Sequence, residues 1–182
     1  MINYPTKKKI TNTKVNNKAN MGMALEEMIE ISNNYYLNAN IATINKVPTN
    51  VKVLKTVDNY HIIDGYFQES KFLDFVGVFK GRYLEFDAKE TASHTSFPMS
   101  NIKRYQIERI RTVLSFGGIS FLIIYFKARN EIFLVDGNLI IKAYDDNEKS
   151  IEYGKIKETS TLIKEGYLVP VDYLKEVEKN YL

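Results

Sequence analysis

The chain has 182 residues, 45% of them hydrophobic and 26% charged, enough for one domain with a proper hydrophobic core. Its longest apolar stretch, Ile119 to Phe126, is the length of a strand and not of a bilayer span. No signal-peptide pattern opens the sequence, and the lack of cysteine removes disulfides and thiolate chemistry. The net charge of +3 is small but uneven: Lys7, Lys8, Lys9, Lys14 and Lys18 lie in residues 1–20 with no acid among them, leaving 20 bases against 22 acids elsewhere. A basic arm on a near-neutral body suits loose contact with phosphate, and it equally suits a solvated leader. A cytoplasmic protein with no membrane partner is the expectation.

Residues 1–19, rich in Asn, Lys and Thr, read as a disordered basic arm, and residues 20–182 as a single folded domain. The spacing of Leu25, Met28, Ile29 and Tyr36 predicts a helix from about Met21 to Leu37. Ile41 to Ile44 reads as a short strand. From Lys46 to Gln68 the pattern is an excursion of two β-rich pieces, Val51–Val57 and Tyr60–Phe67, joined through Asp58-Asn59. Strands follow at Leu73–Phe79 and Arg82–Lys89, with Lys80-Gly81 as the turn of a tight hairpin. A polar loop from Thr91 to Asn101 leads to a helix near Ile102–Ser115, which Phe116-Gly117-Gly118 breaks. Strands at Ile119–Phe126 and Glu131–Val135 come next, and the last third offers two or three short helices, including Tyr173–Tyr181. That order implies an α/β structure around a central mixed sheet.

The stretch from Asp74 to Lys89 carries the chemistry. Residues two apart on a strand share a face, so Glu85, Asp87 and Lys89 fall on one side of the strand and Leu84 and Phe86 on the other. The hairpin returns Asp74 to the same end of the sheet, which brings two carboxylates and an ammonium together. Such a group suits phosphodiester hydrolysis. Mg²⁺ is held by one or two carboxylates with water and substrate phosphate completing its shell, and it polarises the phosphoryl oxygen and acidifies a water. A neighbouring lysine can offset charge building in the transition state. A bare Asp-x-Lys on a strand is more often a solvated ion pair; the upstream aspartate, the glycine turn and the acidic helix before them bring a metal-dependent nuclease level with that reading. No zinc-protease, CxxC, P-loop or GxSxG motif competes, and His61 and His94 stand alone.

These residues sit in a longer series. Gly22-Met23-Ala24-Leu25-Glu26, Asn34-Tyr35-Tyr36, Asn45-Lys46-Val47-Pro48-Thr49, Asp74 to Tyr83, Phe86 to Thr91, Thr95 to Pro98, Gln106-Ile107-Glu108, Gly117 to Phe121 and Val171-Asp172-Tyr173 follow one another at separations that resemble the RecU-type Holliday junction resolvases of the PD-(D/E)xK nuclease superfamily. The resemblance runs from about Asn20 to the C-terminus. It implies a restriction-endonuclease-like fold, a central mixed sheet flanked by helices with a projecting β-hairpin stalk at about 46–68. It implies Asp74 and Asp87 as ligands of Mg²⁺, with Mn²⁺ able to substitute, and Lys89 as the transition-state stabiliser. Gln106 would complete the metal site or orient its water, and Glu26 matches a further acidic residue of the family. Lys46, Lys52 and Lys55 become candidate DNA contacts on the stalk. It implies a homodimer on four-way junction DNA, paired nicks leaving 5′-phosphate ends, and partners such as a recombinase or branch-migration helicase.

The sequence departs from the family at three places: Asp87 stands where Glu is usual, Phe72 where a metal-serving Thr is frequent, and Met21 where an Arg is. These bear on metal affinity and turnover, not on the fold. They keep open a junction-binding and remodelling protein with a weakened or lost nuclease site. A nuclease of the same superfamily acting on linear duplex is a third reading.

Overall fold

A computed structural model describes residues 24–182; the expected basic arm, and the expected helix start at residues 21–23, lie outside the described residues. The first helix, α1, runs Leu25–Asn38 and buries Leu25, Met28, Ile29, Ser32, Asn33 and Tyr36, the three- and four-residue spacing of one helical face. After it the chain turns through Asn40, which takes a left-handed φ of 56°, into β1 (Ala42–Lys46), shifted by a residue or two from the expected strand.

The excursion is a separate two-stranded antiparallel sheet of β2 (Val51–Thr56) and β3 (Ile62–Phe67), every residue of which is exposed. Its base is closed by the Gln68 N–H donating to the Asn50 carbonyl at 2.9 Å. At its tip the Asp58 carboxylate accepts from the backbone N–H groups of Tyr60 and His61, both at 2.8 Å, an Asx turn that replaces missing strand bonds. The register slips twice along the pair, around Lys55.

The main sheet resumes with β4 (Phe75–Phe79) and β5 (Arg82–Thr91), joined by Lys80 and Gly81 at φ 49° and 75°. Two consecutive positive φ values give the hairpin turn that matches strand twist, and Gly81 accepts one of them without steric cost. Gly77 is required for a different reason. A Cβ there would lie 2.2 Å from the Thr43 carbonyl and 2.6 Å from Ile44 Cα, so only glycine lets β1 pair closely with β4.

The expected polar loop contains more order than its composition announces. Ser96–Pro98 forms β6, and Met99–Asn101 a 3-10 turn, before α2 (Arg104–Ser115). Then come β7 (Ile119–Phe126), β8 (Glu131–Asp136), α3 (Gly137–Asp145), β9 (Ser150–Glu152), α4 (Tyr153–Thr159), β10 (Thr161–Ile163) and α5 (Tyr173–Tyr181). β6 pairs with β9, outside the main sheet.

The six-stranded sheet has the order β1-β4-β5-β7-β8-β10 and is mixed: β5 and β7 are parallel and the other neighbours antiparallel. Residue parity divides it into two cores. Phe75, Phe86 and Phe121 stack across β4, β5 and β7 at centroid distances of 5.1 and 4.7 Å and meet α1 and α5 through Tyr36, Tyr173 and Val177. On the other face Leu122, Ile124, Phe133 and Val135 meet Ile107 and Ile110 of α2 and Ile140 of α3. Each fully buried side chain of this size contributes about 1.5–3 kcal/mol relative to exposure. The expected architecture, a central mixed sheet flanked by helices with a projecting hairpin, is the one observed. The face carrying Glu85, Asp87 and Lys89 lies on the α2 side, and Glu85 and Asp87 are wholly buried there.

Candidate metal centre and active site

Strand pairing sets the first relation. Phe75 is opposite Phe86, so Asp74, one residue before β4, falls opposite Asp87 on β5. Asp74 is half-buried and Asp87 fully so. The Asp74 carbonyl accepts from the Val47 N–H at 2.8 Å, which ties the aspartate's backbone to the segment leaving β1.

Lys89, two residues on from Asp87, turns its ammonium back to Asp87 Oδ2 at 2.9 Å and keeps 18% of its side chain accessible. Gln106, on the first turn of α2, donates from Nε2 to the same Oδ2, and its Oε1 accepts from the Lys103 N–H at 2.9 Å. The glutamine therefore caps its helix and clasps Asp87 with one amide. As placed, it turns nitrogen rather than oxygen toward the carboxylate, the orientation of a group that positions Asp87.

Asp87 Oδ1 is buried and has no hydrogen-bond partner. Burial, then the facing Asp74 carboxyl, push the Asp87 pKa well above the usual carboxylate range, with Lys89 pulling the other way. A buried carboxylate with one orphaned oxygen beside a second carboxylate fits a divalent cation. No third acid or histidine joins the pair among the described residues. Tyr105 stands at the rim: its phenol pKa is raised by burial and then by the charges of Asp87, Asp74 and Glu69.

Glu26 is half-buried on the first turn of α1. It shares with Ala24, Leu25, Ala88, Lys89 and Glu90 the walls of a cleft of about 240 Å³. Glu90 orients that wall, since its Oε1 accepts from the Leu25 N–H at 2.8 Å and its other oxygen pairs with Lys127. Glu26 thus shares a cleft with Lys89, and neither aspartate lines it.

The three expected stalk lysines separate. Lys46 is not on the stalk hairpin: it ends β1 and, still exposed, bridges Glu26 and Glu30 of α1 at 2.8 and 2.9 Å. Lys52 and Lys55 are on β2, exposed and without a carboxylate partner among the described residues; the Lys52 ammonium sits 5.8 Å from the Tyr66 ring centre.

Two residues of the neighbourhood escape a motif reading. Glu85, fully buried, forms a two-pronged ion pair with Arg109 of α2 at 2.8 and 2.6 Å. The signals existed: Glu85 shares the parity of Asp87, and Arg109 lies three residues after Gln106 on the same helix face. Phe72, the departure at the Thr position, lays its ring against that guanidinium at 4.8 Å.

Comparison with known proteins places this geometry in a family. The family model described as Recombination protein U, RecU, matches residues 20–179. The chain is 37% identical to the Holliday junction resolvase RecU of Oceanobacillus iheyensis, over 99% of this chain and 100% of the relative. It is 37% identical to the protein of the same name from Streptococcus gordonii, over 100% of this chain and 97% of the relative. Among solved structures it is similar to Hjc, a Holliday junction resolvase from Archaeoglobus fulgidus, at 12% identity and a TM-score of 0.42 over 72% of this chain and 92% of that one, a likeness too slight to build on.

Proposed function

The chain belongs to the RecU family, and from that premise we propose that it resolves Holliday junctions as a divalent-metal-dependent endonuclease. The observation that carries the chemistry is the Asp74–Asp87 pair with Lys89 attached and one buried oxygen unclaimed.

Asp74 and Asp87 hold the cation. When bound, Mg²⁺ or Mn²⁺ polarises the scissile phosphoryl group and acidifies a water. Lys89, fixed by Asp87 at 2.9 Å yet open to the cleft, presents its ammonium to the phosphoryl oxygens as negative charge grows on them. Gln106 keeps Asp87 in one rotamer, so the ligand does not have to be ordered at the moment of reaction. Glu26 supplies a carboxylate on the opposite wall, where it orders water on the lysine's side. The products are proposed to carry 5′-phosphate ends, as the family likeness implies.

A junction has approximate two-fold symmetry, so a C2 homodimer offers one centre to each of two strands. The stalk, with Lys52 and Lys55, is assigned to the junction's phosphates, and residues 1–19 to looser contact with its arms. A recombinase or a branch-migration helicase, each of which acts on the same DNA, is the natural class of protein partner. No helix of the described residues is long and apolar enough to cross a membrane, and the cytoplasm is the proposed location.

The test uses labelled synthetic four-way junctions and a linear duplex of matched sequence, at matched salt, with Mg²⁺, with Mn²⁺ and with chelator. Paired, metal-dependent nicks in the junction alone are the expected result. Tight junction binding with no cut strand in either metal would replace resolution by remodelling. Equal cutting of the duplex would remove the junction from the proposal. The remodelling alternative has less behind it, because the Asp74–Asp87 pair, Lys89 and the unpartnered buried oxygen of Asp87 support hydrolysis.

A further inference from the structure

We propose that Glu85 and Arg109 form a brace that sets the position of Asp74, and through it the affinity of the metal centre; this rests on the metal-dependent reading above.

The β4–β5 ladder is regular from Phe75 onward, but Leu73 lies beyond its last pair. The Leu73 N–H therefore lacks a strand acceptor, and it donates instead to Glu85 Oε1 at 2.8 Å. Both oxygens of Glu85 are fully engaged. Oε1 also accepts from Arg109 Nε at 2.8 Å, and Oε2 accepts from Arg109 Nη2 at 2.6 Å and from the Tyr83 hydroxyl at 2.5 Å. One carboxylate thus joins β5, helix α2 and the Phe72–Leu73 peptide, one residue short of Asp74. On the other side of Asp74, its own carbonyl is held by the Val47 N–H. The aspartate is fixed at both flanks and its side chain is directed across to Asp87.

Stability alone does not account for a wholly buried glutamate two residues from a buried aspartate. A buried ion pair gives little net stabilisation over packed apolar side chains, because desolvation consumes the attraction. What a charged fork offers here is direction: two strong, oriented bonds from Arg109 hold Glu85 where its Oε1 accepts the single hydrogen bond from the Leu73 N–H. Phe72 completes the brace, its ring packing the guanidinium from the outer side at 4.8 Å. The residue at the Thr position thus serves the site by holding Arg109. Glu85 and Arg109 are positioning residues, since neither reaches the aspartate oxygens.

The experiment measures Mn²⁺ binding to the full chain by the fall in the free Mn²⁺ resonance, alongside the Mn²⁺ dependence of junction nicking and thermal melting. The variants are Arg109→Met, Arg109→Lys and Glu85→Gln, with Ile140→Val in the α3 core as a stability control. Arg109→Met is expected to weaken Mn²⁺ binding by about 10-fold or more, the scale for losing a group that orients a metal ligand. The rate at saturating Mn²⁺ should fall far less than the affinity. Arg109→Lys should recover part of the loss, because it keeps the charge but not the fork. Glu85→Gln should lie between, retaining an acceptor for Leu73 but a weaker hold on Arg109. Should Arg109→Met fail to fold, the other two variants carry the same comparison. Folded variants that bind Mn²⁺ as tightly as the parent would overturn the brace, as would an equal loss in Ile140→Val. If the parent itself bound no Mn²⁺ and cut no junction, the metal-dependent reading would fall first and the brace with it.

Discussion

Two hairpins of this domain, β4–β5 within the central sheet and β2–β3 outside it, are stabilised by different forces. In β4–β5 the turn, the ladder and the core agree: Lys80-Gly81 gives the favoured turn, the strands pair without a slip, and Phe75 and Phe86 are fully buried in a stack of rings. In β2–β3 the ladder slips twice, every strand residue is exposed, and the tip is held by one aspartate. Large apolar residues stand in water along it, Tyr60 at 89% and Phe67 at 79% exposure. The buried hairpin carries the proposed metal ligands on or next to strands that the core holds. The exposed one carries reach and surface, where tolerance to bending costs little. Turn, register and core thus all differ between the two, and with them how firmly each hairpin is held.

The comparison breaks most visibly in catalysis. Lys89→Ala or Asp74→Ala should reduce junction nicking by at least about 10²–10³-fold, the scale for losing a group that stabilises transition-state charge. Junction binding measured by gel shift in Ca²⁺ should persist. Phe86→Ala should cost about 3–5 kcal/mol in urea unfolding, because it opens a cavity between three rings. Tyr60→Ala on the stalk should change stability within about 0.5 kcal/mol, as expected of a side chain with no packing to lose. If the two changes cost the same, the stalk is not the loosely held member of the pair. Gly77→Ala should cost about 1–3 kcal/mol by forcing β1 away from β4, read as a lower unfolding midpoint. Lys52→Ala should leave stability and nicking at low salt unchanged, while the slope of log affinity against log salt falls by about one unit if the lysine meets a phosphate. An unchanged slope would remove it from the junction interface.

How legible each region was follows from how local its causes are. The β4–β5 hairpin could be read from a dipeptide turn and strict alternation, and the proposed centre from parity on one strand. The first residues of β4 were misplaced by two, because a buried glutamate twelve positions later takes the Leu73 N–H from the ladder. β6 and β9 left no local signal: three residues pair with three others some fifty positions away, and Pro98 looked like loop. Lys46 looked like a stalk cation until the fold brought Glu26 and Glu30 beside it. Glu85 was visible as a residue of the right parity, yet its role depends on Arg109, which only the packing of α2 over β5 brings to it.

The single parallel pairing has a consequence for the order in which the protein becomes competent. Because β7 runs alongside β5 in the same direction, the chain has to travel back across the sheet between them, and α2 is that return path. Gln106 and Arg109 ride on it, so topology delivers both clasps to the strand that needs them. Until that return path docks, the β4–β5 ladder alone sets Asp74 opposite Asp87, without the contacts of Gln106 and Arg109. The proposed centre is thus complete only once more than half of the polypeptide has found its place.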